Sequence, residues 1–248
     1  MLSSGKVFLV GAGPGDPELL TRKGARLLAH ADAVVFDHLV GESVLELARV
    51  DAERIYVGKE PGRHELPQQQ INELLIERAR RGQCVVRLKG GDPFIFGRGG
   101  EEIIELAAAG VRFEVVPGVT AASGAAAYAG VPLTHRGIAR SCVFVTGHLT
   151  DGSCELDWVA LARPAQTIVV YMGVAAIGTI CQQLIAHGLD QATPAIAIRN
   201  ATIGSQLTLA GTVADLPGRL TQINLKPPAV VIIGEVVRLR ESLDWYGR

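Results

Sequence analysis

The segment Leu88-Lys89-Gly90-Gly91-Asp92-Pro93-Phe94-Ile95-Phe96-Gly97-Arg98-Gly99-Gly100-Glu101-Glu102 decides how this chain is read. The apolar run Cys84-Val85-Val86-Arg87-Leu88 leads into it, and a helix-like run, Glu101 to Ala109, leads out. A strand therefore passes into a helix through a turn that holds five glycines, an acid and an arginine. Open α/β sheets bind ligands beyond the carboxyl ends of their strands. Glycine lets a ligand approach the backbone there, because no Cβ intervenes. A lone Gly-Gly-Asp would suit a tight turn with an incidental ion pair. This density of glycine beside both charges points instead to a ligand site.

Outward from that turn, apolar β-rich runs alternate with helix-like runs. Val7–Val10, Ala33–Phe36, Arg54–Val57 and Phe113–Val116 read as strands beside the one at Cys84. Helices are expected over Pro17–Ala29, with Asp16 as N-cap and Pro17 at the first position, near Ser43–Arg49, and over Pro67–Arg81. Unbroken apolar strands with helical crossovers indicate a parallel sheet covered on both faces. After Pro117-Gly118 come an Ala/Gly-rich helix, Thr120–Ala129, and strands at 141–146, 167–171, 195–198, 207–210 and 230–233. Helices are expected there over Gly173–His187 and Val213–Leu220. The chain is therefore read as α/β throughout: an N-terminal α/β domain over residues 1–118 with a parallel sheet, and a C-terminal α/β domain over 119–248 with a mixed one. A cleft is expected between them.

Composition narrows the function. A chain of 248 residues, 48% hydrophobic and 20% charged, has enough apolar material for a core. Its formal net charge is −1, so no general basic field suggests nucleic acid. The N-terminal apolar run is too short for a signal peptide, and the stretch from Thr167 to Cys181 is too short and too glycine-rich to span a membrane. Cys84, Cys142, Cys154 and Cys181 are scattered, and the histidines lack ligand spacing. Neither a disulfide framework nor a metal is expected, and a cytoplasmic protein is.

Gly11-Ala12-Gly13-Pro14-Gly15-Asp16 stands where a dinucleotide fingerprint would, but the third glycine position is Asp16. Pro14 removes a backbone donor, and an N-cap acid repels phosphate. The turn suits a ligand without phosphates. A dinucleotide-binding oxidoreductase is the rival reading, motivated by this turn and by Asp37. Asp37 and Lys59 close neighbouring strands; acid and base so placed suit proton handling, and equally a surface ion pair. Thr120 and Ala121 open the small-residue helix, and Met172 and His148 follow later strands.

Together these segments resemble the tetrapyrrole methylase family. The resemblance rests on Val10–Asp16, Asp37-His38-Leu39-Val40, Gly58-Lys59 with His64 and Gln69, Leu88–Glu102, Pro117–Gly124, Pro132–Arg136, Thr146-Gly147-His148, Tyr171-Met172-Gly173 and Val231–Gly234. It runs in order from about residue 5 to residue 245 and is closest to members that methylate uroporphyrinogen III. It implies two α/β domains, a homodimer, and S-adenosylmethionine bound in the interdomain cleft. It also implies methylation of uroporphyrinogen III at C2 and C7, giving precorrin-2 for sirohaem, cobalamin or haem d1. By family pattern Pro14, Gly90, Gly91, Asp92, Ile95, Thr120, Ala121 and Met172 contact the methyl donor. Asp37 and Lys59 match a proton acceptor and donor. Arg63, Arg98, Glu101, Arg136 and His148 face the tetrapyrrole; Arg98 joins the catalytic set as a clamp, because an arginine does not normally deprotonate. Ala201 stands where the family has glycine in Asn-Gly-Thr, which restricts its φ while leaving its backbone groups for adenosine.

Overall fold

The computed structural model describes residues 5–58, 66–147 and 156–247. The chain divides into two compact units, Met1–Ala121 and Ala122–Arg248.

In the first unit, strands β1 (Lys6–Gly11), β2 (Ala33–Phe36), β3 (Glu53–Tyr56), β4 (Cys84–Lys89) and β5 (Arg112–Val116) form one sheet in the order β3-β2-β4-β1-β5. Every pairing is parallel. Helices α1 (Arg22–Leu28), α2 (Glu42–Leu45), α3 (Gln68–Arg80) and α4 (Gly99–Ala108) supply the crossovers. The strands are apolar on both faces because both are covered. Val10, Leu28, Val34, Val86 and Leu88 form the core on one face. Val7, Leu9, Val35, Leu75, Val85 and Leu106 form the other.

The expected helix over Pro17–Ala29 is two pieces. A 3-10 turn, Pro17–Leu19, is capped by Asp16, whose Oδ1 accepts from Glu18 N at 2.9 Å. Leu20 is extended, and α1 restarts with Thr21 as its own N-cap, its Oγ1 accepting from Gly24 N at 3.1 Å. A capping hydroxyl inside an apolar run competes with helix continuation, and here it prevails. The helix expected near Ser43–Arg49 is the single turn of α2.

The second unit holds a mixed sheet in the order β6-β7-β10-β8-β9, from β6 (Ser141–Thr146), β7 (Gln166–Tyr171), β8 (Pro194–Arg199), β9 (Leu207–Thr212) and β10 (Ala229–Ile233). Only β6 and β7 pair in parallel. Around it lie α5 (Ala121–Tyr128), α6 (Trp158–Leu161), α7 (Ile177–Ala186), α8 (Leu216–Gln222) and α9 (Arg240–Leu243). Ile180, Leu184, Ala197, Leu216 and Val231 lie in its core. Helices α7 and α8 begin four and three residues later than the apolar pattern suggests. The short α6 and α9 carry too few residues to show a period.

Candidate active site

Strand order fixes where a ligand can approach the first unit. From β1 the chain crosses to β2 on one side, and from β4 it crosses to β5 on the other. The adjacent strands β1 and β4 thus form a topological switch point, with a crevice at their carboxyl ends. Both glycine turns emerge there: Gly11 pairs in register with Lys89, and Gly13 bridges Gly91.

The end of β5 completes the crevice. A Cβ on Gly118 would lie 2.2 Å from Gly91 O and 2.8 Å from Gly11 Cα. A Cβ on Gly11 would lie 2.6 Å from both Gly118 Cα and Gly91 O. Three strand ends therefore meet backbone to backbone, which only glycine permits. Gly13 and Gly91 adopt φ of 77° and 65°. Asp92 braces the assembly: Oδ2 accepts from Gly118 N at 3.0 Å and Oδ1 from Phe94 N at 2.8 Å. Its carboxylate is therefore first a structural tie. Thr120 and Ala121 lie against Gly91, with Thr120 Cα and Ala121 N 3.7 and 3.4 Å from a Cβ placed there. Pro14, Gly90 and the exposed Ile95 belong to the same two turns.

This crevice lacks phosphate chemistry. The helical turn after β1 is three residues long and is already capped by the Asp16 carboxylate. The first turn of α4 carries Glu101 and Glu102. Both features disfavour an anion. An uncharged or cationic adenosyl group fits the bare backbone better than a pyrophosphate does.

The turn into α4 is strained. Phe96 and Arg98 take φ of 52° and 56°, so two non-glycine residues sit in the left-handed region. Gly99 N donates to Pro93 O at 3.0 Å, and a Cβ on Gly99 would lie 2.5 Å from that oxygen. Such strain is typically held at functional sites. The Arg98 guanidinium forks onto Glu101, Nε to Oε1 at 2.9 Å and Nη2 to Oε2 at 2.7 Å. Hydrogen bonding to Arg98 holds the Glu101 carboxyl below its ordinary range. The clamp proposed from sequence is thus a pre-formed, exposed ion pair.

Asp37 follows β2. Its Oδ1 accepts from Leu39 N at 3.1 Å and its Oδ2 from Arg87 Nη2 at 3.1 Å. Lys59, Arg63, His64 and His148 lie outside the described residues. Arg136 is exposed in a turn closed by the His135–Ala139 bridge.

Behind Asp37 stands a cluster that the sequence reading missed. Arg87 and Lys89 occupy alternate positions of β4 and share the α3/α4 face with Val85; neither side chain is more than 6% exposed. Both donate to Glu102 Oε1, at 3.2 and 3.0 Å, as does Gln68 Nε2 at 3.2 Å. Burial, then the adjacent Arg87 charge, lowers Lys89 below its ordinary value of 10.5. The available signal was two cations two residues apart in a central strand. With both faces covered, such residues need buried partners.

In the second unit, β6, β7 and β8 end on one edge of the sheet. Gly147 N donates to Tyr171 O at 2.7 Å, and a Cβ on Gly147 would lie 2.5 Å from Gly173 Cα. Met172, just past β7, is 53% exposed at a φ of 51°. Tyr171 Oη accepts from Ala122 N at 3.0 Å. Past β8 the left-handed residues are Asn200 (48°) and Thr202 (72°), not Ala201. Ala201 stands between these two residues and does not itself take a positive φ, so alanine is accommodated there without left-handed strain. Gln206 holds this turn, accepting from Thr202 N at 2.8 Å and donating to Tyr128 O at 3.2 Å.

Among the described residues, no group of three or more His, Cys, Asp or Glu side chains could hold a metal ion, and no helix is long and apolar enough to cross a membrane.

Comparison with known proteins agrees with this geometry. The family model for tetrapyrrole (corrin/porphyrin) methylases matches residues 6–217. A siroheme synthase of Nitrosomonas eutropha is 59% identical over 242 residues, covering 98% of this chain and 51% of that protein. The chain spans about half the length of the curated relatives it matches. The crystal structure of the native form of uroporphyrin III C-methyl transferase from Thermus thermophilus is 44% identical, with a TM-score of 0.80, over 94% of this chain and 99% of that one. The Thermus thermophilus enzyme complexed with S-adenosyl homocysteine is 43% identical, with a TM-score of 0.80, over 94% of each chain. A switch-point crevice walled by glycine, the ordered motifs and a family match over most of the sequence agree: this chain belongs to the tetrapyrrole methylases.

Proposed function

We propose that this chain is an S-adenosylmethionine-dependent C-methyltransferase that converts uroporphyrinogen III to precorrin-2 by methylation at C2 and C7. The observation that carries the proposal is the meeting of Gly11, Gly91 and Gly118 at the switch point, a backbone cradle without phosphate-binding features. It is supported by the likeness to the Thermus thermophilus enzyme and its S-adenosyl homocysteine complex. Sirohaem is the proposed end product, after the name of the longer relatives.

Bound S-adenosylmethionine supplies an electrophilic methyl group on a sulfonium. Pro14, Gly90, Gly91, Asp92 and Ile95 are assigned to binding it in the first unit, with Thr120 and Ala121. Met172 and Ala201 are assigned to it in the second. Their contribution is alignment, the largest share of catalysis when a carbon nucleophile meets a fixed electrophile. Asp37 is assigned as the proton acceptor. Two hydrogen bonds fix its carboxylate, which is still 22% exposed. Lys59 is assigned as proton donor. Arg98 with Glu101 orients the macrocycle, and Arg63, Arg136 and His148 meet its carboxylates, for which arginine forks are suited. The working form is proposed to be a cytoplasmic homodimer.

Incubation with uroporphyrinogen III and S-adenosylmethionine, followed by mass spectrometry, tests the proposal. Two added methyl groups are expected. One or three would indicate a different tetrapyrrole methylase, and none would refute the assignment.

A further inference from the structure

We propose that Arg87 is a positioning residue that acts through Asp37. In this arrangement the buried Glu102 anchors one side of the guanidinium, and the other side sets the direction of the Asp37 carboxylate. The inference rests on the assignment of Asp37 as proton acceptor.

The geometry is that of a fixed bracket. Arg87 donates from Nε to Glu102 Oε1 at 3.2 Å and from Nη2 to Asp37 Oδ2 at 3.1 Å. Nη1 donates to Leu88 O at 3.0 Å and to Val35 O at 3.5 Å. Every nitrogen of the planar group is thus engaged, and its plane cannot turn without breaking several bonds. The bracket runs from the interior to the crevice: Glu102 is 0% exposed, Arg87 4% and Asp37 22%. Leu39 N completes the hold on Asp37 through the other oxygen.

Stability alone does not account for this cluster. It stands among Ile71, Leu75, Val85 and Leu106, where apolar side chains would fill the space. Replacing buried ions by apolar residues is often neutral or stabilising. The charges nevertheless balance, Arg87 and Lys89 against Glu102 and Asp37. Loss of Arg87 leaves Lys89 paired with Glu102 at 3.0 Å and leaves Asp37 to partial solvation. The charge left behind after this change is therefore paired or partly solvated, and Arg87→Met is expected to fold.

A double-mutant cycle tests the inference, with steady-state kinetics read as kcat and KM and with urea unfolding of each variant. Arg87→Met in the wild-type background is expected to lower kcat about 10²-fold, the scale of a misplaced catalytic group. The KM for S-adenosylmethionine and the calorimetric affinity for S-adenosyl homocysteine should stay within about threefold of wild type. In the Asp37→Asn background the same substitution should lower kcat by less than about threefold, because two residues acting as a unit are not additive. Arg87→Lys, which keeps the charge but loses the fork, should fall between, and it serves for the cycle should Arg87→Met unfold. Equal losses in both backgrounds, or a loss confined to KM, would overturn the inference. Wild-type protein that transfers no methyl group would instead overturn the proposed function, so the two failures are distinguishable.

Discussion

Gly13 and Gly91 exchange two backbone hydrogen bonds, Gly13 N to Gly91 O at 3.2 Å and Gly91 N to Gly13 O at 2.7 Å. The pair is an isolated antiparallel bridge just past the parallel β1–β4 ladder, and it locks the two glycine turns together. Two segments far apart in sequence thereby become one surface, and Gly118 at the end of β5 closes its third side.

Gly118→Ala should be strongly destabilising. Its Cβ would meet backbone atoms of Gly91 and Gly11, which no rotamer change relieves. Overpacking of this kind costs about 1–3 kcal/mol. The urea midpoint should fall accordingly. Gly100→Ala, with no atom within 4 Å of its Cβ and a place in α4, should be unchanged or slightly stabilised.

Glu102→Leu should lower stability by about 3–5 kcal/mol, because it leaves Arg87 and Lys89 buried side by side without their shared anion. Chemical denaturation at neutral pH reads this directly. An unchanged midpoint would show that the cluster is hydrated.

The Lys89 ammonium titrates below 10.5 in the folded chain, through burial and the Arg87 charge. Between its lowered folded value and 10.5 the unfolded chain holds this proton and the folded chain does not. Stability therefore gains from this group as pH rises through that window, and at lower pH the charged form is a constant burden on the fold. Lys89→Met should remove that contribution. Unfolding free energies of wild type and variant, compared across alkaline pH, should converge or cross in favour of wild type as pH rises.

Arg98→Lys should raise the KM for uroporphyrinogen III about tenfold, the scale of one lost charge-assisted hydrogen bond, and leave S-adenosyl homocysteine binding intact. Stability should change by no more than about 0.5 kcal/mol, because the pair with Glu101 is more than half exposed. Unchanged kinetics would remove Arg98 from the clamp.

Much of this was legible in residue patterns. The alternation of β-branched runs with amphipathic ones gave the parallel sheet, and Gly90-Gly91-Asp92 marked the crevice. Local competition and long-range pairing were not legible. Thr21 reads as one more helical residue until its hydroxyl is seen capping α1. Arg87 reads as one polar residue in an apolar strand until Glu102, 15 residues later, is seen to pair with it. Asp92 reads as a ligand group, yet its oxygens first tie Gly118 and Phe94 in place. The left-handed geometry of Asn200 and Thr202, on either side of Ala201, had no signal in the residue types alone.

Hydrogen exchange read by mass spectrometry, with and without S-adenosyl homocysteine, tests the central claim that the β1 and β4 glycine turns hold the methyl donor. The account predicts new protection in peptides covering Gly11–Asp16 and Lys89–Ile95, and none on adding NAD. Protection of those peptides by NAD, or protection by S-adenosyl homocysteine confined to other segments, would contradict it.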